Sequence, residues 1–513
     1  MLDGAARASL PDLALSARNL VRSGRAGGDD ARMVAVLESM GEVSVTVSAM
    51  RETKAGVVLT RLVDAHGEAT VRRAAAQARA KLAAQLKERV GAVNARLRTR
   101  TILQALPNAE SDGNLSTRDR LIKHLSAPPP RLPCVVAVTS FEYDNAAKFD
   151  GSRRTRMRKS VEGANSGPVI YWMSRDQRIR DNWALVSAQR QAYKHKAPLV
   201  VVFTVSQDFG GASARQAGFQ LRGLRFLEAD LSTLGIGFRL LVGSNPAEEL
   251  ARYAAAVEAR HVVTDFSPLR QAQAWRDDAE RRLHDGCGLE YVDAHNVVPC
   301  WLASDKPEVC GQSGVASKAR YRALPPPWGA TRTFRPKLHA RIHHFLTVFP
   351  AVLSHSPFPF NDAAVVGPSE GPLIAGPAPI NAATGLTDWG AVAAFLKINW
   401  ALPEVTWAQP GERAAEAALA AFLESARRVD KYDTEADDPN KPEVRSMLSA
   451  HIRYGHLSAQ RCCLELVRVA GGAIKDVFVS RAANGMQAWA EEILVRRELS
   501  DNFCFFEERV SSP

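Results

Sequence analysis

Two stretches near the carboxyl end carry residues whose types and spacing could do chemistry. Residues 430–461 place Tyr432, an Asp438-Pro439 turn and then Ser446-x-x-Ser449 ahead of an apolar-periodic run. Hydroxyls and unpaired N–H groups at a helix start can face an anion, aided by the positive end of the helix dipole, so this stretch could cradle a pyrophosphate. By spacing alone, Ser-x-x-Ser also serves simply to cap a helix. The second stretch, residues 489–506, sets Glu492 and Arg496 one helical turn apart, so that an acid and a base share a face. Taken alone, such a pair is a surface ion pair. His339 and His343, with His344 beside them, have a spacing that can chelate a metal. No carboxylate or third ligand is placed nearby, so no metal site is expected.

The rest of the chain must position these residues. At 513 residues it is long enough for about three domains at roughly 150 residues each. Its 46% hydrophobic and 24% charged content is an ordinary globular balance. A formal charge of +11 and a pI near 9.4 favour a polyanionic partner. The seven cysteines include no Cys-x-x-Cys pair, which argues for a reducing compartment and against a structural zinc site. No apolar run reaches the roughly 20 residues of a membrane span, and no signal peptide opens the chain, so a soluble intracellular protein is expected.

The domain reading follows composition. Residues 1–28 are expected to be disordered, and 29–99 to form a small helical bundle with Val71, Ala74, Ala75 and Ala78 on one face. Residues 100–165, Pro-rich and then basic (Arg153 to Lys159), are assigned to a linker, with a short extra strand near Cys134. The basic run reads as an import signal, a phosphate contact or a solvated linker. Residues 166–305 alternate as a doubly wound α/β unit. Strands are expected at 168–173, 198–205, 238–242, 261–266 and 290–293, and helices at 176–196, 213–234, 246–259 and 268–284. Ser174 and Asp176 are read as the start of the first helix. Ligands of such sheets sit beyond the strand C-termini, here after Ser174, Ser206, Gly243 and Asp265. The absence of Gly-x-Gly-x-x-Gly leaves a nicotinamide site unsupported. Residues 306–395 are assigned to an interdomain connection with an insertion, its 355–395 part looping over the surface. Residues 396–513 are assigned to a partial, all-helical domain.

Several strings are distinctive as wording. Residues 169–183 read Val-Ile-Tyr-Trp-Met-Ser-Arg-Asp-Gln-Arg-Ile-Arg-Asp-Asn-Trp, 263–270 Val-Thr-Asp-Phe-Ser-Pro-Leu-Arg, and 292–301 Val-Asp-Ala-His-Asn-Val-Val-Pro-Cys-Trp. Thr333-Phe-Arg-Pro-Lys337, Pro403-Glu-Val-Thr-Trp407 and the 430–461 and 489–506 stretches follow. Together they resemble class II cyclobutane pyrimidine dimer photolyases. The resemblance implies a Rossmann-like parallel-sheet antenna domain followed by a helical FAD-binding domain. It implies that Tyr432, Arg445, Ser446, Met447, Leu448 and Ser449 contact FAD, with a second antenna chromophore of unspecified identity. It also implies that Glu492 hydrogen-bonds an extruded dimer in damaged DNA and that Arg496 lies beside the lesion or its phosphate. In the family a further helical segment completes the flavin pocket. The chain ends at Pro513, so weak flavin retention and little repair by this chain alone are expected.

A second resemblance covers Val45-Thr46, Met50-Arg-Glu-Thr-Lys-Ala-Gly-Val-Val58 and the Ala-rich basic helix after them. These are similar to the N-terminal docking domain of transcription elongation factor TFIIS, which implies a transcription or chromatin partner and a nuclear location, with an organelle as the alternative. The rival readings are a cryptochrome-like photoreceptor on the same scaffold and a non-enzymatic DNA or transcription-complex docking protein.

Overall fold

Short, continuous Val/Leu/Ile runs suit strands that are covered on both faces, and they build the core of a seven-stranded sheet. The computed structural model describes residues 70–71, 73–78, 80–81, 115–127, 151–161, 166–305, 328–362, 375–470, 478 and 485–506. The strands are β1 (Thr155–Lys159), β2 (Val169–Met173), β3 (Leu199–Val205), β4 (Gly237–Val242), β5 (His261–Asp265), β6 (Gly288–Val292) and β7 (Gly376–Pro377), in the order β1-β6-β5-β2-β3-β4-β7. β2 to β6 pair in parallel, with Val169 opposite Leu199 on one side and His261 on the other; β1 and β7 close the edges antiparallel. The order reverses between β2 and β5, which makes their C-terminal ends the switch point of the sheet.

The described α-helices of six residues or more are α1 (Thr117–Ser126), α2 (Trp183–Lys194), α3 (Ala214–Thr233), α4 (Pro246–Ala256), α5 (Arg270–Arg282), α6 (Trp328–Phe345), α7 (Trp389–Phe395), α8 (Glu412–Leu423), α9 (Ala459–Ala470), α10 (Gly485–Ala490) and α11 (Arg497–Phe506). Strand alternation divides the sheet's side chains between two cores. Val169, Tyr171 and Met173 face one that includes residues of α1, α2, α3 and α7, while Ile170 and Trp172 face the other, with residues of α4 and α5. A third core joins α6, α8, α9 and α10, with Phe334, Phe422, Leu448 and Trp489 at its heart. From Glu412 onward the named elements are all helical.

The structure corrects four sequence readings. The first concerns residues 117–126, assigned to the linker, which form α1. Its Leu121 and Leu125 are buried in the sheet core, and the Ser116 hydroxyl accepts from the Asp119 N–H at 3.1 Å. Secondly, the basic run is no solvated linker: it supplies the edge strand β1, preceded by the fully buried Arg154. The guanidinium of Arg154 donates to the carbonyls of Asn296 at 2.9 Å and Val297 at 2.7 Å, and to Gln460 Oε1 at 3.3 Å, so its role is to tie loops together. A third correction moves the first helix of the α/β unit. It starts at Asn182, whose Oδ1 accepts from the N–H groups of Ala184 and Leu185, and residues 176–182 are loop. Asp176 is taken out of any capping role by Arg178, which pairs with it at 2.7 Å in full burial. Finally, much of the supposed surface loop at 355–395 is stitched in. Asp362 pairs with Arg239 and accepts from Tyr253, β7 extends the sheet, and Trp389 Nε1 donates to buried Glu228 at 2.6 Å.

The chain divides into two units, Met1–Leu106 and Pro107–Pro513. In the first, the described residues between 70 and 81 are helical, with Val71, Ala74, Ala75 and Ala78 buried on one side. The remainder of the expected 29–99 bundle, the transcription-factor resemblance at 45–58, residues 1–28, the strand near Cys134 and most of the 306–330 insertion lie outside the described residues. Among those residues no helix is long and apolar enough to cross a membrane.

Candidate functional site

The platform beneath the site is a buried polar network at the sheet's switch point. Asp265, at the end of β5, accepts from Tyr171 Oη at 2.6 Å, from the N–H groups of Ser174 and Arg175 at 2.8 Å each, and from the Asp176 N–H at 3.1 Å. Burial, with the Asp176 charge beside it, pushes its carboxyl up to about 6. Burial also opposes charge on Asp176, but the Arg178 guanidinium and His295 offset it and hold that carboxyl well below the usual range. The 454–456 turn presses close here. Gly455 has φ +69°, and a Cβ on it would meet the Arg175 carbonyl at 2.2 Å, so only glycine fits.

This platform grips the helix carrying the predicted acid. Asp501 of α11 receives both arms of Arg175, at 2.7 and 2.8 Å, and Asn296 Nδ2 at 3.0 Å. Burial works against the Asp501 charge, yet Arg175 keeps its carboxyl far below the ordinary value. Glu498 accepts from the N–H groups of Val297 and Val298, and its burial pushes it up to about 8. Between α10 and α11 the chain takes a π-helical stretch, Glu491–Arg496. Such wide turns are rare and cluster at functional sites. Ile493, Leu494 and Val495 point into the core, which leaves Glu492 and Arg496 exposed.

Three of the sequence-predicted site residues meet. Tyr432 Oη donates to Glu492 Oε2 at 2.7 Å, and Ser446 stands beside the same phenol. Burial and the neighbouring Glu492 carboxylate push the phenol well above its ordinary value, so it remains a donor across the physiological range. Glu492 and Arg496 form no ion pair with each other, although both are described residues. Arg445 Nε donates to the Ala436 carbonyl at 2.8 Å, Leu448 is buried in the helical core, and Arg445, Met447 and Ser449 are exposed. Met447 takes φ +58°, a region that a long side chain rarely adopts. The histidines at 339, 343 and 344 lie on α6, and no metal-competent cluster occurs among the described residues.

Three residues adjoin this constellation, of which sequence reasoning singled out neither Phe422 nor Arg428. The Phe422 ring lies 5.7 Å from Tyr432, 5.0 Å from Trp489 and 5.2 Å from the Arg428 guanidinium. Trp489 Nε1 and Arg428 Nε are buried donors without an acceptor in the described structure. Orphaned donors are costly. Arg428 is half-buried and its Nη2 donates to the Arg445 carbonyl, so its free Nε fits an acceptor-rich anion arriving at the 445–449 stretch, whereas Trp489 is enclosed in the helical core. No sequence signal marks Arg428, whereas Trp489 opens the 489–506 string.

The sequence has counterparts among known proteins. Residues 169–313 match the DNA photolyase family model. The chain is 36% identical over 341 residues to the deoxyribodipyrimidine photo-lyase of Potorous tridactylus, covering 66% of this chain and 54% of that protein. It is 35% identical over 354 residues to the Arabidopsis thaliana protein of the same name, covering 67% and 60% respectively. A bacterial class III photolyase structure from Agrobacterium tumefaciens aligns with a TM-score of 0.42 at 17% identity, over 67% of this chain and 60% of its own. The chain thus spans between 54% and 60% of the length of these two curated relatives.

Proposed function

From the match of residues 169–313 to the DNA photolyase family model, we propose that the chain is a photolyase-family protein serving light-driven repair of cyclobutane pyrimidine dimers in DNA, with FAD as cofactor, in the class II manner. The observation that carries this reading is the meeting of Tyr432, Ser446 and Glu492 at a solvent-open face. FAD, when bound, supplies the photoexcited electron donor. The chain's own residues hold and orient. Ser446 and the unsatisfied Nε donor of Arg428 offer hydrogen bonds on the cofactor side, while Tyr432 gives its one O–H to Glu492. Glu492, exposed and, among the described residues, hydrogen-bonded at one oxygen through Tyr432, keeps acceptor capacity for the base edges of an extruded dimer. A dimer leaves the stack more cheaply than an intact pair, which favours reading it outside the helix. Arg496, one turn on, supplies charge for a flanking phosphate. The formal charge of +11 supports a salt-dependent backbone affinity. A nuclear location and a transcription partner for the N-terminal unit extend the same reading.

The test is an absorption spectrum of the purified protein from the near-ultraviolet to the blue, paired with light-dependent loss of a single dimer from an oligonucleotide. Glu492→Gln is expected to slow repair about tenfold, the worth of one hydrogen bond to a charged group, with flavin content unchanged. A preparation that holds FAD stoichiometrically and repairs nothing overturns the proposal.

A further inference from the structure

Glu492 is displayed by a π-helical stretch, and such a stretch persists only where its surroundings hold it. Its C-terminal end is fixed by several groups: Arg497 donates to Asn296 Oδ1 at 3.2 Å, Glu498 accepts from the 297–298 backbone, and Asp501 binds Arg175. At the N-terminal end two contacts come from other elements, the Tyr432 hydroxyl on Glu492 and a bidentate one on Glu491. Arg335, on α6, places Nε at 2.9 Å from Glu491 Oε2 and Nη2 at 2.6 Å from Glu491 Oε1. Its planar fork fixes the direction of the carboxylate as well as neutralising it. Glu491 is the immediate neighbour of Glu492, so Arg335 both anchors the first residue of the wide turn and removes a like charge from beside the acid that works.

We infer that Arg335 is a positioning residue. By holding Glu491 it sets the π turn so that Glu492 meets Tyr432 and faces outward for substrate. The part concerning substrate rests on the proposed repair function; the part concerning the Tyr432–Glu492 geometry does not. Arg335 touches neither reacting atoms nor the cofactor side, and its effect passes wholly through Glu492. It lies in the Thr333-Phe-Arg-Pro-Lys337 string, which the sequence marked without a role.

Two measurements on the full chain test this. In a crystal structure of Arg335→Ala, the Tyr432 Oη–Glu492 Oε2 contact should open beyond hydrogen-bonding reach, while Arg335→Glu combined with Glu491→Arg should restore it. In binding assays with an oligonucleotide carrying one dimer and its undamaged twin, Arg335→Ala should reduce the preference for the dimer about fivefold. In a Glu492→Gln background the same change should have no further effect, the non-additivity expected of groups acting as a unit. A residue that merely stabilised the fold would lower both affinities together and add to Glu492→Gln. If the Tyr432–Glu492 bond survives in Arg335→Ala, the inference is overturned whatever the DNA data show. If the bond opens but the unmodified protein has no preference for the dimer, the positioning role stands and the repair reading fails.

Discussion

Two polar regions share the 491–506 helical segment and are built on opposite rules. At the switch point of the sheet, Asp265 accepts from four donors, Asp176 faces Arg178 and His295, and Asp501 takes both arms of Arg175, all out of water. On the outer side of the π turn, Glu492 has the Tyr432 hydroxyl and then solvent. A buried carboxylate must have its partners fixed, because an orphan there bears the full desolvation cost. An exposed one can exchange its partner at little cost, which is what a group that meets a substrate needs. The first region is therefore a frame and the second a working face. Most of the distinctive wording in the sequence, from Ser174 to Arg178 and from Asp293 to Val298, encodes the frame.

The largest expected effect breaks the frame. Asp265→Ala leaves the Tyr171 hydroxyl and the N–H groups of Ser174, Arg175 and Asp176 without their acceptor. Urea unfolding should show a loss of about 3–5 kcal/mol, as for other broken buried charge networks. Glu492→Gln, at an exposed position, should stay within about 0.5 kcal/mol of the parent. Equal losses at the two positions would erase the distinction between frame and working face.

That distinction was only half legible in the sequence. The parallel strands could be read because Leu199-Val-Val-Val-Phe203 and its neighbours are continuous apolar runs that need no partner to be recognised. The edge strand β1 could not, since Thr155-Arg-Met-Arg-Lys159 is mostly polar, and it is a strand because β6 offers it hydrogen bonds. Ser174 and Asp176 looked like a helix start because capping logic is local. Their real partners, Asp265 for Ser174 and Arg178 and His295 for Asp176, include groups some ninety or more residues away in sequence. Helix α1 was hidden by the Pro-rich segment beside it, although Leu121 and Leu125 already stood one turn apart. At the site, the pairing of Tyr432 with Glu492 followed from no spacing rule, since sixty residues separate them. Only the wording of both stretches pointed there.

A second effect, of intermediate size, sharpens the comparison through pH. Burial raises Glu498 to about 8 and Asp265 to about 6, so over this range the folded chain binds more protons than the unfolded one. Stability from these two groups is therefore greatest on the acid side and is lost as pH rises from their unfolded values, about 4, through 6 and then 8. Asp176 and Asp501, held low, act in the opposite sense: their contribution is present above about pH 4 and is lost only in stronger acid. Buried His295, His355, His451 and His456, which desolvation pushes down to between about 3 and 4, add stability as pH rises to their unfolded value, about 6.5, so thermal unfolding should show a maximum near about pH 6–6.5, with a decline of about 1–2 kcal/mol toward pH 8. Glu498→Gln should flatten the upper part of that decline. A profile that goes on climbing from about pH 6.5 to 8 would mean that the frame does not keep the Glu498 carboxyl from water.

The smallest effect probes the working face from the side of its backbone. Met447 sits at φ +58° and is 42% exposed, between half-buried Ser446 and the core residue Leu448. A strained, exposed, long side chain has no packing reason to be there, because its contacts cannot offset the conformational cost. Glycine relieves the strain and removes only exposed surface. Met447→Gly should thus stabilise the fold by about 0.5–1 kcal/mol in denaturant unfolding, after glycine's larger unfolded-state entropy is set against the gain. If strain is held at this point to aim Ser446 at Tyr432, the same change should weaken FAD retention, measured as flavin bound per chain after gel filtration. Stability and retention would then move in opposite directions at a single residue, as they should where a backbone is bent for function and not for folding. Should both rise together, Met447 belongs to neither purpose, and the cradle begins at Leu448.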